Sequence, residues 1–248
     1  MNVTLVQQDL VWADAPQNHE RFEAALLAAP GSDLYVLPEM WNTGFVMQPA
    51  PVAQSPDGPS LRWMLRMARQ LDAALAGSIA VRLADGNYVN RLYFVTPDGV
   101  AAHYDKHHLF SYGGETRCYT PGRERVVAEW RGVRFLLLVC YDLRFPLWSR
   151  CRDDYDAILY VASWPTRREL AWRTLLRARA IENQCYVVGV NRVGSDPVCD
   201  YFGGSAFVNP YGEARECPDG VPATLTGTID LPFLRQFRDK FPVLAERD

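Results

Sequence analysis

The chain has 248 residues, of which 48% are hydrophobic and 22% are charged. This balance excludes a mainly disordered protein, because such a chain can bury a sizeable core. Lysine and arginine total 26 against 29 aspartates and glutamates, a net charge of −3, which argues against nucleic acid or an anionic membrane as the main partner. No apolar run reaches the roughly 18 residues of a membrane helix, and the first residues lack a basic signal segment, so we expect a cytoplasmic protein.

The cysteines and histidines show no pattern typical of a metal or disulfide framework. Six cysteines are scattered without C-x-x-C spacing, and the four histidines include no H-E-x-x-H. A chain of this length with such cysteines does not indicate a disulfide-stabilised fold. We therefore expect free thiols, no metal and no cofactor.

The hydrophobic pattern alternates between strand and helix periods along the chain. Helices are predicted at 15–29, 61–71 and 168–184, with a short one from Pro146, where proline suits a first helical turn. Between them, strands are predicted at 3–10, 34–37, 74–81, 88–99, 100–108, 133–140, 156–164, 185–193, 205–215 (a hairpin) and 223–230, with an irregular stretch at 109–125. Strands that alternate with helices and meander in the middle predict mixed sheets with helices packed outside, in one α/β domain spanning 1–248.

Three chemically reactive side chains end predicted strands. Glu39 follows an apolar strand and Pro38, Lys106 ends the third strand of the meander, and Cys140 follows five apolar residues. The residue after a strand is where α/β folds present nucleophiles and ligand groups. Lys106 is also a candidate functional residue because lysine occurs only twice among the 26 basic residues. Codon bias explains the general scarcity of lysine but not its presence at this position.

Each of these residues alone has a structural alternative. Cys140 can be a small buried hydrophobe, Glu39 half of a buried ion pair, and Lys106 a solvated strand-end charge. Together they form a set suited to acyl transfer. A carboxylate can take the proton of a thiol, and attack on a carbonyl creates an oxyanion that needs fixed donors. Lys106 and the backbone N–H of Tyr141 could supply them.

Three segments carry a family resemblance. LPEMWNTGF around Glu39, YDKHHLF around Lys106 and VCYDLRFP around Cys140 resemble, in order and spacing, the signature segments of the nitrilase superfamily of carbon–nitrogen hydrolases. The resemblance extends over nearly the whole chain and is greatest to the Nit-like branch that contains the omega-amidases (2-oxoglutaramate amidases).

The resemblance implies a four-layer α-β-β-α sandwich and a Glu–Lys–Cys triad. It implies Glu39 as general base, Lys106 as oxyanion stabiliser and Cys140 as nucleophile, with a second active-site glutamate for which Glu115 is the candidate. It also implies a homodimer or higher homo-oligomer, in which sandwiches pack together.

Neighbouring residues give further expectations. Phe45 and Trp164 could wall a small pocket, and Arg167 or Arg168 could meet a substrate carboxylate. Asp142 and Arg144, just past the nucleophile, are interpreted as a local ion pair that holds the turn.

The leading functional hypothesis is cleavage of the C–N bond of a small carboxylate-bearing amide through a thioester acyl-enzyme, with 2-oxoglutaramate as the leading substrate. Hydrolysis of an N-carbamoyl compound or a nitrile is the alternative within the same superfamily, since fold does not determine reaction. A non-catalytic scaffold that retains the fold is the alternative of another class. A thiol redox protein is less well supported, because no resolving cysteine is evident.

Overall fold

The computed structural model describes residues 1–246. Its strands are β1 (Asn2–Gln7), β2 (Leu34–Val36), β3 (Ala74–Arg82), β4 (Tyr88–Thr96), β5 (Gly99–Asp105), β6 (Val127–Trp130), β7 (Val133–Val139), β8 (Ala157–Ala162), β9 (Tyr186–Asn191), β10 (Val193–Ser195), β11 (Asp200–Phe202), β12 (Ala206–Val208), β13 (Ala214–Glu216) and β14 (Ala223–Thr228). Its helices are α1 (Ala15–Ala28), α2 (Pro59–Leu71), α3 (Pro146–Ser149), α4 (Glu169–Glu182) and α5 (Leu231–Lys240).

Two mixed sheets form the centre of the molecule. The first has the order β14-β1-β2-β3-β4-β5 and the second β13-β12-β9-β8-β7-β6, while β10 and β11 make a separate ribbon. The strands β1, β2 and β3 run parallel in the first sheet, as do β7, β8 and β9 in the second. Every other pairing in the two sheets is antiparallel.

The sheets pack face to face through an apolar layer. Phe94 of β4 and Phe135 of β7 are fully buried, with ring centroids 5.7 Å apart. Further side chains from both sheets belong to the same core, including Val3, Leu5, Val36, Leu92, Leu137 and Val188. Burial of this apolar layer is the main force that holds the two sheets together.

Helices cover the outer faces. Phe22 of α1 and Met64 of α2 pack on the first sheet in a second core, and Trp172 and Leu176 of α4 pack on the second sheet. The result is the four-layer α-β-β-α sandwich that the sequence predicted. Among the described residues, no helix combines the length and apolar character needed to cross a bilayer.

Most of the predicted elements are present with ends shifted by a few residues. The short helix at Pro146, the long helix from Glu169 and the hairpin of β12 and β13 are confirmed. The sequence analysis did not predict β6, the ribbon of β10 and β11, or α5. Two 3-10 turns, Ser111–Gly113 and Glu115–Arg117, lie in the stretch expected to be irregular.

The topology brings several strand ends to one edge. Because β4 is antiparallel to β3 and β5 is antiparallel to β4, β5 ends at the same edge as β2. The edges of the two sheets meet there, where the Glu39 N–H donates to Ala162 O at 3.4 Å. Segments that follow β2, β5, β7 and β8 therefore converge.

Candidate active site

Cys140 lies at a sharp turn directly after β7. Its φ is +46°, in the left-handed region that non-glycine residues rarely adopt, and it begins a 3-10 turn over Cys140–Arg144. Such backbone strain is retained only where the surroundings hold it. The side chain is 8% exposed, and its Sγ lies 4.0 Å from Ser163 O.

Asp142 holds this turn in place. Its carboxylate is fully buried and accepts hydrogen bonds from the Val139 N–H at 2.9 Å and the Tyr104 hydroxyl at 2.8 Å. It also accepts the His108 N–H at 2.9 Å and contacts His108 Nδ1 at 2.8 Å. The turn that begins at Cys140 is thus tied to β5 and to the segment just after Lys106.

The expected ion pair between Asp142 and Arg144 is wrong. Asp142 is occupied by the donors just described, whereas the Arg144 guanidinium lies 4.9 Å from the centre of the Trp164 ring. The sequence correctly gave Asp142 a role in holding the turn but misassigned its partner, because the true partners come from β5 and the segment after it.

Glu39 is fixed by the segment after β8. Its Oε2 accepts the Ser163 N–H at 2.9 Å, and its backbone O accepts the Ser163 hydroxyl at 3.1 Å. The glutamate side chain is fully buried. Since Ser163 O also lies next to Cys140 Sγ, one residue brings the carboxylate and the thiol together.

Lys106 lies between two carboxylates. Its Nζ donates to Glu39 Oε1 at 2.8 Å and to Glu115 Oε2 at 2.9 Å, and all three side chains are fully buried. The Phe45 ring centre is 5.1 Å from Nζ. Glu115 is further held by the Phe110 N–H, which donates to its Oε2 at 2.6 Å. The structure therefore brings Glu39, Lys106, Cys140 and Glu115 into one cluster, as predicted.

The electrostatics of the cluster define its resting state. Burial opposes the charged form of Lys106, but Glu115 and Glu39 outweigh it and raise the pKa of the ammonium above its usual value. Burial, followed by the charge of Glu39, raises the pKa of the Cys140 thiol well above its usual value despite the opposing effect of Lys106. Burial also raises the pKa of Glu115, against the attraction of Lys106. Lys106 is thus a cation, and the thiol is protonated until a base takes its proton.

A small pocket with a cavity volume of about 60 Å³, partly open to solvent, leads to Cys140. Five of its eleven lining residues are aromatic, and they include Phe45 and Trp164. The other lining residues are Phe110, Tyr141, Arg144, Ser163, Pro165, Arg168, Cys199 and Tyr201. Trp164 is positioned by Asn191, whose Oδ1 accepts the Trp164 N–H at 2.7 Å.

Two guanidinium groups lie in the pocket wall. Arg168 lies over Phe110, 5.0 Å from the ring centre, and Arg144 lies over Trp164. Within residues 1–246, neither forms an ion pair with a carboxylate. Of the two arginines offered for a substrate carboxylate, Arg168 lines the pocket, whereas Arg167 is exposed and does not.

Sequence reasoning missed several residues of this site. Arg144, Asn90, Ser163 and Tyr201 all line the pocket or contact the buried cluster. Ser163 follows a predicted strand, so the strand-end argument used for Cys140 could have found it. Asn90 lies near the start of β4, and only its pairing with the end of β5 places it beside Glu39.

A two-sheet sandwich with a buried cysteine, two glutamates and a lysine at one edge is equipped for acyl transfer through a thioester. Residues 2–239 match the family model described as carbon-nitrogen hydrolase, and the chain belongs to that family. This confirms the family resemblance of the sequence.

Individual relatives resemble the chain over nearly its full length. Omega-amidase YafV of Escherichia coli (strain K12) is 47% identical, covering 100% of this chain and 97% of that protein. The 2-oxoglutaramate amidase of Bacillus subtilis (strain 168) is 32% identical, covering 98% and 96%. The crystal structure of XC1258 from Xanthomonas campestris, a CN-hydrolase superfamily protein with an arsenic adduct in the active site, has a TM-score of 0.97 at 41% identity, covering 100% of this chain and 97% of that one.

Proposed function

We propose that the protein is an omega-amidase that hydrolyses the terminal amide of a small carboxylate-bearing substrate, 2-oxoglutaramate, to 2-oxoglutarate and ammonia. The observation that carries the proposal is the buried Glu39–Lys106–Glu115 cluster beside Cys140 at the end of a short pocket. The similarity to omega-amidase YafV and to a 2-oxoglutaramate amidase supports the choice of reaction.

The charge of the pocket supports the choice of substrate. Arg144 and Arg168 offer guanidinium groups that lack a carboxylate partner among the described residues, and guanidinium binds carboxylate in bidentate geometry. The same two cations disfavour the ammonium group of an α-amino acid such as glutamine. An α-keto acid amide carries the carboxylate without the ammonium.

Acylation begins when Glu39 takes the proton of the Cys140 thiol and Sγ attacks the amide carbon. The amide oxygen becomes an oxyanion, stabilised by Lys106 Nζ and the backbone N–H of Tyr141, which lies in the first turn of the 3-10 segment. Glu39 then returns the proton to the amide nitrogen, the C–N bond breaks, and ammonia leaves. The acyl group remains on Cys140 as a thioester.

Deacylation uses the same groups. Glu39 takes a proton from water, whose oxygen attacks the thioester carbon, and the oxyanion again faces Lys106 and Tyr141. Collapse breaks the C–S bond, and the proton returns to Sγ. Glu115 also accepts a hydrogen bond from Lys106 Nζ, which holds the ammonium in position and balances its charge.

The decisive experiment compares kcat/KM for 2-oxoglutaramate, glutamine, an aliphatic nitrile and an N-carbamoyl amino acid, using ammonia release as the readout. We expect 2-oxoglutaramate to be preferred by tenfold or more. Preference for the nitrile or the carbamoyl compound would refute the omega-amidase assignment and favour the alternative reaction. No turnover of any of the four would favour a substrate outside this set or a scaffold.

Cys140→Ser tests the nucleophile in the same assay. Glu39 faces a thiol, and a hydroxyl is a much weaker nucleophile in its place, so turnover should fall by far more than tenfold, which corresponds to about 1.4 kcal/mol. Circular dichroism should show the wild-type fold. Retention of more than about a tenth of the wild-type rate would contradict the assignment.

We also propose that the protein is a homodimer in a reducing compartment, the cytoplasm. Large apolar side chains are exposed on the outer helices of the second sheet, with Leu147 85% and Leu170 81% exposed, and burial in a second copy would remove them from water. All six cysteines are free thiols, as is usual where glutathione keeps thiols reduced.

A further inference from the structure

Asn90 lies at the centre of the catalytic cluster, and no step of the proposed reaction uses its side chain. It is the third residue of β4, and its side chain is fully buried. Its Nδ2 donates to Glu39 Oε1 at 2.8 Å and lies 3.3 Å from Glu115 Oε1. Its backbone O accepts the Lys106 N–H at 2.9 Å. One residue thus contacts both carboxylates of the cluster through its side chain and Lys106 through its backbone.

The orientation of the Asn90 amide is determined by its neighbours. If the amide were reversed, its oxygen would face two carboxylate oxygens. In the observed orientation Asn90 Oδ1 is buried without a hydrogen-bond partner among the described residues, which destabilises the folded state. A side chain selected for stability alone would not leave this atom unsatisfied, so the contacts of Nδ2 are the reason for asparagine here.

The amide makes the two oxygens of Glu39 different. Oε1 accepts from both Lys106 Nζ and Asn90 Nδ2, whereas the hydrogen bond that Oε2 accepts from the described residues comes from the Ser163 N–H. Oε2 therefore keeps a lone pair available for a proton. Because Ser163 O lies 4.0 Å from Cys140 Sγ, Oε2 is the oxygen held on the thiol side.

The amide also offsets charge. The cluster contains two carboxylates and one ammonium, all fully buried. The titratable groups that face it from the surrounding elements are Cys140 after β7 and Tyr119 after the second 3-10 turn, and neither is a cation. Neutral donors therefore stabilise the excess negative charge. The Ser163 and Phe110 N–H groups each serve one carboxylate, whereas Asn90 Nδ2 contacts both.

We propose that Asn90 is a positioning residue that occupies Glu39 Oε1 and keeps Glu39 Oε2 as the unprotonated acceptor for the Cys140 proton. The proposal rests on the proposed function for its link to turnover. Its chemistry is also visible in the thiol itself, because alkylation of Cys140 by a neutral reagent requires loss of the same proton.

The experiment measures the rate of Cys140 alkylation by iodoacetamide against pH, with mass spectrometry to assign the site, in wild type, Asn90→Leu and Asn90→Asp. Leucine fills the space without a donor, and aspartate keeps the shape but adds a third carboxyl group. Asn18→Leu is the matched control, because Asn18 is another fully buried asparagine whose amide donates to the backbone of Val11 and Asn42, outside the cluster.

Without the amide donor the cluster should bind a proton at higher pH. The acid limb of the profile should therefore move up by at least about one pH unit in both Asn90 variants, and further in Asn90→Asp. The labelling rate near neutral pH and kcat for the amide should fall at least tenfold with KM nearly unchanged. Asn18→Leu should lose stability and keep the wild-type limb.

An acid limb at the wild-type pH in a folded Asn90 variant would overturn the proposal, as would a wild-type profile without an acid limb. If Asn90→Leu does not fold, Asn90→Asp alone decides. If wild type releases no ammonia from any amide but the alkylation limb moves with Asn90, the proposed function fails and the positioning role stands.

Discussion

At the residue scale, Lys106 is a side chain whose positive charge alone should not be sufficient for activity. Lys106→Arg keeps the cation but replaces a compact ammonium with a larger planar group. The space between Glu39 and Glu115 is fully buried, and a guanidinium cannot place one donor at the position of Nζ. We expect kcat to fall by at least a hundredfold, about 2.7 kcal/mol.

The measurement is ammonia release from 2-oxoglutaramate by Lys106→Arg beside Lys240→Arg. Lys240 is the other lysine of the sequence and lies at the exposed end of α5, so its replacement should be neutral. If the Lys106 variant is nearly as active as the control, Lys106 is a structural charge and does not take part in the reaction.

Single residues also show what the sequence alone could provide. Glu39, Lys106 and Cys140 were identifiable because each follows a recognisable strand and belongs to a motif. Arg144 was misassigned, although it lies four residues from Cys140. Its position over Trp164 depends on the pairing of β7 with β8, which no local pattern encodes.

At the scale of elements, the strands and the helix that were not predicted can be explained by their local sequences. The hairpin of β6 and β7 turns at Arg131 and Gly132, both with positive φ, whereas asparagine or aspartate before glycine is the usual signal. The ribbon of β10 and β11 is formed by two three-residue strands in a turn-rich segment. By contrast, α5 has clear signals, an Asp230 N-cap and a proline in its first turn, and it could have been predicted.

The turn after β7 gives a prediction about an element. Asp142→Ala would leave four donors of Val139, Tyr104 and His108 without their buried acceptor. We expect the free energy of unfolding to fall by at least about 3 kcal/mol, because breaking a buried network is costly, and kcat to fall because the strained Cys140 backbone loses its support. Urea unfolding and ammonia release measure the two effects. A loss of stability under about 1 kcal/mol would contradict this account of the turn.

The layer of α1 and α2 should make stability depend on pH. Ser60 Oγ accepts from the side-chain amides of Asn42 and Gln54, so its own proton goes to His19 Nε2, 2.8 Å away. This contact needs the neutral imidazole. Burial, and then the charge of Arg66, lower the pKa of His19 below its usual 6.5, with Glu23 opposing them.

The direction in which stability changes with pH follows from the linkage between proton binding and folding. The unfolded chain binds a proton on His19 at higher pH than the folded chain does, so the stability contributed by His19 is present above about pH 6.5 and is lost as pH falls through its folded pKa. Urea unfolding at about pH 7.5 and about pH 5.5 should show a smaller pH dependence in His19→Gln, which does not titrate there. Equal pH dependence in the two proteins would refute this role for His19.

At the scale of the whole molecule, the four-layer sandwich leaves one outer layer with an apolar stripe. Leu170 and Ile181 are eleven residues apart on α4 and therefore share a face of the helix, 81% and 54% exposed. Leu147 of α3 lies near the carboxyl end of α4, where it lines a groove with Glu182. The opposite outer layer exposes Leu27 of α1 at 46%, which provides a matched position for comparison.

The proposed dimer follows from this asymmetry between the two outer layers. If a second copy covers α3 and α4, a symmetric interface places Leu170 against the partner, and Leu170→Glu introduces a charge on both sides at once. Light scattering coupled to size exclusion should then show a dimer for wild type and for Leu27→Glu, and a monomer for Leu170→Glu. The turn over Cys140–Arg144 lies next to α3 and contacts α4, since Leu143 O accepts from Arg179 Nη2 at 2.7 Å. The monomeric variant should therefore also lose activity. A fully active Leu170→Glu monomer would show that activity does not depend on the dimer. A Leu170→Glu variant that is still a dimer would show that the interface lies elsewhere.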